Sequence, residues 1–106
     1  MPAGAASQEE LEAMLEDACL LKDASFLRNL FDVDALLLAQ GTSHVRGRSA
    51  IANVIISQLQ DGGSYVAAPQ LVMQSGPLAL IILANATSVA RRSLAGLHYV
   101  ISRLDL

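Results

Sequence analysis

The run LALIILA over residues 78–84 carries no polar side chain, and the turn signal Ser75-Gly76-Pro77 precedes it. It is far short of the ~20 apolar residues that span a bilayer. The spacing predicts a strand over residues 78–87. Successive strand side chains point to opposite faces, so a strand apolar at every position belongs to a sheet covered on both. Helices elsewhere in the chain can cover one face. The other calls for a second copy, so a homodimer joined across the outer sheet face is expected. Composition agrees: 53% of the residues are hydrophobic and 16% charged, against about 45–50% and ~25% in ordinary soluble domains. Such a chain either lines an apolar pocket or hides a face against a partner.

With 106 residues the chain is one domain. Residues 1–6 are small and unpatterned and read as a tail, leaving residues 7–106 as the domain. Ser7 and Glu10 form an S-x-x-E capping box. The helix it opens carries Leu11, Met14, Leu15, Ala18 and Cys19 on one side, with Glu9, Glu12 and Glu16 assigned to the other, and ends around Leu21. Asp23 can cap a second helix that buries Phe26, Leu27, Leu30 and Phe31. A strand over 34–40, a reversal at Gly41-Thr42-Ser43 and a short return at His44-Val45-Arg46 come next. A third helix opens at Arg48 or Ser49, aligns Ile51, Val54, Ile55 and Leu59, and stops at Gly62-Gly63. Strands are then expected over 65–74, interrupted near Pro69, over 78–87 and over 97–104.

A net charge of −3, with Lys22 as the only lysine, argues against nucleic acid, whose phosphates call for clustered cations. The single cysteine, Cys19, cannot form an internal disulfide and fits a reducing compartment. The start MPAGAASQEE lacks the basic and apolar regions of a secretory signal. A soluble, cytoplasmic protein without membrane association is expected.

Phe31-Asp32-Val33-Asp34-Ala35 following Asp23, and Val45-Arg46-Gly47-Arg48-Ser49-Ala50-Ile51 after it, resemble the "G-D…L-F-x-x-D-A" and "x-x-G-x-x-A-I" motifs of the SnoaL-like, ketosteroid isomerase-like superfamily. The resemblance runs over residues 8–104. It implies an α+β fold in which a curved, mixed, mostly antiparallel sheet wraps around N-terminal helices, a cone-shaped cystatin-like roll related to nuclear transport factor two. The fold hosts isomerases, cyclases, dehydratases, hydrolases and non-enzymes, so it does not name a reaction. Laid on this chain, the isomerases' general base falls on Ala39 and their carbonyl-polarising tyrosine on Leu15. Neither side chain can move a proton or donate a hydrogen bond. The family's late tryptophan has no counterpart, and residues 90–96 are either a compressed hairpin or the place of a lost strand.

Three functions are therefore weighed. The first is a binder of a small hydrophobic molecule in the cone, lined by Leu15, Cys19, Ala39 and His98 or Tyr99, without the isomerases' catalytic groups. The second is an isomerase, cyclase or hydrolase using Asp17, His98 and Tyr99, which must then converge. The third is a structural dimer whose cone is filled by its own side chains. Cavity volume separates them, because useful ligand sites run to about 300 Å³ or more. His98 and Tyr99 point to opposite faces of a strand, so one faces inward; a structural histidine is weighed against a pocket base. Asp34 reads as a turn or cap carboxylate, His44 as exposed and Cys19 as an inert thiol. No spacing of His, Cys or carboxylates suggests a metal, and no cofactor motif is present.

Overall fold

The computed structural model describes residues 5–39 and 43–106. Three helices lie on one face of a six-stranded sheet. In chain order the elements are α1 (Gln8–Leu21), α2 (Ala24–Leu30), β1 (Phe31–Ala39), β2 (Val45–Arg46), α3 (Arg48–Gln60), β3 (Leu71–Ser75), β4 (Leu78–Leu83), β5 (Ala86–Ser93) and β6 (Gly96–Leu104). The strands run in the order β2-β1-β6-β5-β4-β3. Among the described residues only the β1–β6 pair is parallel. The sheet is thus mixed and mostly antiparallel, as the resemblance implied, and it is open.

Local chemistry sets the helix ends. Ser7 Oγ accepts the Glu10 N–H at 3.1 Å and Asp23 Oδ1 accepts the Phe26 N–H at 3.1 Å, so both expected caps form. Lys22 closes α1 in the left-handed region at φ 50°. Gly47, at φ 93°, precedes α3, a backbone angle that side-chain-bearing residues rarely adopt.

The structure corrects several expected boundaries. Phe31 opens β1 instead of closing α2, because its ring packs on Tyr99 of the parallel strand β6, with centroids 5.4 Å apart. The strand expected over 65–74 shrinks to Leu71–Ser75. Glu16 Oε1 takes the Ala67 N–H at 3.0 Å, Tyr65 is buried, and Pro69 has no N–H to offer a ladder. The strand expected over 78–87 is two strands joined by a tight turn at Ala84-Asn85, where Leu83 pairs with Ala86. Residues 90–96 are the hairpin alternative: Arg92 pairs with Leu97 and Ser93 with Gly96. At the other end, Ala5 is buried and bridges Leu97, and Arg92 Nη2 donates to the Ala6 carbonyl. That part of the expected tail is therefore tied to the sheet. The expected reversal at residues 41–42 and the strand end at Gln40 lie outside the described residues.

The core sits between helices and sheet. Leu11, Leu15, Leu27, Leu30, Ile51 and Ile55 are essentially inaccessible from the helix side. The sheet meets them with Ala35, Ala39, Ala86 and Ala90 among larger residues. These small side chains let the helices settle close against the strands and fill the space with leucine and isoleucine. No helix among the described residues is long and apolar enough to cross a membrane.

Candidate functional site

Two surfaces have the makings of a site: the interior between helices and sheet, and the outer face of the sheet.

Inside, Leu15 and Tyr99 are 1% exposed, Ala39 3% and Cys19 4%. His98 lies on the other face of β6, half-buried against Asp32 and Arg91. Asp17 is exposed on α1. Asp17, His98 and Tyr99 therefore occupy three different surroundings and do not converge. The interior also holds a group that the helical pattern assigned to solvent: Glu12 is 2% exposed. Its Oε2 accepts from Gln8 Nε2 at 2.9 Å, and its Oε1 receives the Tyr65 hydroxyl at 3.5 Å, the outer limit of such a contact. Burial pushes its pKa up, the Gln8 and Tyr65 hydrogen bonds pull it back, and the charge of Glu9 adds to the rise.

Tyr65 and Tyr99 are also held protonated, both by burial first; the charge of Glu12 then adds to the rise at Tyr65, where Tyr99 pulls back, and Tyr65 and Glu12 add to it at Tyr99. The Tyr99 hydroxyl has no hydrogen bond of ordinary geometry, yet lies near enough to Tyr65 for the two to perturb each other. Burial, helped by the charge of Glu16, raises the Cys19 thiol to about 11, which makes it a poor nucleophile. A cavity of about 170 Å³ is bounded by Cys19, Leu20, Lys22, Leu59, Ser64 and Tyr65. Among the described residues no group of three or more His, Cys, Asp or Glu is placed to hold a metal ion.

The signal for Glu12 was in the sequence. Glu12, Leu15 and Cys19 stand at i, i+3 and i+7 and share a helix stripe. Tyr65 was hidden by the expectation of a regular strand.

The outer face has a different character. Register places Leu36 beside Ile101, Ile101 beside Val89, Val89 beside Leu80, and Leu80 beside Met73. One unbroken apolar row thus crosses five strands, about 19 Å at ordinary strand spacing. Ile101 is 53% and Met73 56% exposed. Two open apolar grooves flank the row and share Val89: one of about 380 Å³ beside Leu36, Leu38 and Ile101, the other of about 300 Å³ beside Met73, Leu78 and Leu80. The next row, Arg103, Thr87, Ile82 and Leu71, is mixed.

No family model matches the chain, and no curated protein matches it in sequence. Solved structures do match in shape. A Thiobacillus denitrificans protein named as a calcium/calmodulin-dependent protein kinase type II association domain superposes with a TM-score of 0.79 at 15% identity, over 99% of this chain and 98% of its own. An NTF2-like protein with a cystatin-like fold from Novosphingobium aromaticivorans gives 0.71 at 22% identity, over 92% and 78%. A ketosteroid isomerase-like protein from Erwinia carotovora atroseptica gives 0.71 at 16% identity, over 92% and 91%. With three helices laid against one open mixed sheet, the chain has the NTF2-like, ketosteroid isomerase-like α+β fold, also described as cystatin-like.

Proposed function

We propose that the protein is a homodimeric association module whose sheet supplies the subunit contact and whose interior is a packed core. The continuous row Leu36, Ile101, Val89, Leu80 and Met73 supports this reading more than any other observation. A row apolar at every position, with no charge at its centre, is complementary to itself and needs no charged counterpart, which suits an isologous contact. Two such sheets can stack face to face at about 10 Å and exclude water from both. The T. denitrificans neighbour, similar over nearly its whole length, is itself named an association domain. Light scattering coupled to size exclusion tests the reading. A mass twice that of the 106-residue chain is expected at micromolar concentration. Val89→Glu, which sets a charge between the two grooves, is expected to halve it. A wild-type monomer contradicts the reading.

A second reading, a small apolar molecule held inside the cone, draws on the 170 Å³ cavity beside Cys19 and Tyr65 and on the poorly satisfied Tyr99 hydroxyl. It ranks second because that space falls short of the roughly 300 Å³ of ordinary ligand sites. A thermal-shift screen of small apolar compounds is expected to find none that stabilises the protein; a saturable rise in Tm would reverse the ranking.

A further inference from the structure

Where β1, the start of α3 and the β5–β6 hairpin meet, a separate recess of about 220 Å³ is lined by Asp32, Arg48, Arg91, Ser93 and His98, with Val33 and Ala95 as its apolar wall. Its charges do not balance. Arg91 is paired with Asp32 through Nη2 and Oδ2, and the other carboxylate oxygen of Asp32 accepts the Val33 N–H at 2.7 Å. Each oxygen of Asp32 thus already accepts one hydrogen bond. Arg48 has no ion pair among the described residues, and its Nε is buried without a hydrogen bond. A buried guanidinium donor without a partner is costly to keep in the folded state.

We propose that this recess binds a small oxyanion, a carboxylate or phosphate group, with Arg48 as its principal contact. The guanidinium is built for such a partner: it is planar, permanently charged and able to present two parallel N–H donors. Arg91, half occupied by Asp32, and His98 border the same space and add to its positive potential. Arg48 is also the first residue of a 13-residue helix whose N-cap, Gly47, supplies no side-chain acceptor. The first residue of α3 therefore lies at the recess. The recess shares no lining residue with the two grooves of the outer face or with the interior cavity. Arg91 and His98 nevertheless stand on the same sheet face as the apolar row, one cross-strand row away from it.

The experiment titrates the intact protein separately with inorganic phosphate and with acetate, against sodium chloride at matched ionic strength. Tm and the side-chain Nε–Hε resonance of Arg48 are followed together. A saturable rise in Tm and a saturable shift of that resonance are expected with at least one of the two anions, and the tighter one identifies the ligand class. Arg48→Gln is expected to weaken the response by about tenfold or more, the scale of a lost charge-assisted contact. Arg46→Gln removes the same charge two residues away, outside the recess, and is expected to leave the response unchanged. If Arg48→Gln does not fold, the Arg48 resonance in the wild type still decides. Resonance and Tm that follow only ionic strength overturn the proposal, and so does an equal response in the two variants.

Discussion

On α1, Glu12 sits in the stripe that also carries Leu15 and Cys19, and its carboxylate is turned into the core between Gln8 and Tyr65. Together with Glu16, which takes the Ala67 N–H, it fastens the irregular segment before β3 to the helix. The arrangement has a pH signature. Burial raises the folded pKa of Glu12 above the unfolded value near 4.5. Its contribution to stability is therefore full below that value and is lost as pH rises through the folded pKa. Chemical denaturation at a series of pH values is expected to show wild type losing stability over that window, and Glu12→Gln losing less. Identical profiles would mean that the carboxylate is solvated. Gly63 makes a different demand. A Cβ there would lie 2.8 Å from the Gln58 carbonyl oxygen and 2.8 Å from the Leu106 carbonyl carbon, both backbone atoms. Gly63→Ala is expected to cost about 1–3 kcal/mol in a denaturant titration, because neither neighbour can simply rotate away.

Among the elements, β5 and β6 meet through Ser88 and Ser102, directly paired and buried on the inner face, with their hydroxyls 2.9 Å apart. Each satisfies the other. Ser88→Ala leaves the Ser102 hydroxyl alone in the core and is expected to cost about 1–3 kcal/mol, whereas the double alanine variant should cost less than the two single changes summed. Additive losses in a double-mutant cycle would show that the pair is not coupled. The same strands show what could be read in advance. Caps at Ser7 and Asp23 and the start of α3 at Gly47-Arg48 were legible because each depends on a side chain or a glycine next to the helix it bounds. The turn at Ala84-Asn85 was not, because LALIILANA stays apolar through the reversal and only Asn85 marks it. The segment before β3 was misread because its bonds go to Glu16 and Ile82, 51 residues back and 12 ahead, beyond any local pattern. Of the candidate interior residues, Leu15 and Cys19 could be placed from helical periodicity; Ala39 came from the resemblance, and alternation along β6 left open which of His98 and Tyr99 faces inward. The recess at Arg48 could not, since Asp32, Arg48, Arg91 and His98 meet only when β1 and the β5–β6 hairpin join in one sheet beside the start of α3.

Taken together, the molecule gives its two sheet faces different work. The inner face, rich in alanines, receives the helices. The outer face carries an apolar row across five strands, and among the described residues the helices pack on the inner face and leave Ile101 and Met73 exposed. That asymmetry is already present in residues 78–83, where Ala79, Ile81 and Leu83 turn inward while Leu78, Leu80 and Ile82 turn outward. An isotope-filtered NOE experiment on a sample mixing labelled and unlabelled protein tests the arrangement most directly. Methyl groups of Ile101, Val89 and Leu80 are expected to show contacts to the other subunit, with none from the buried leucines of α1. Intersubunit contacts that arise from the helices instead, or no intersubunit contacts at all at millimolar protein, would contradict association through the sheet.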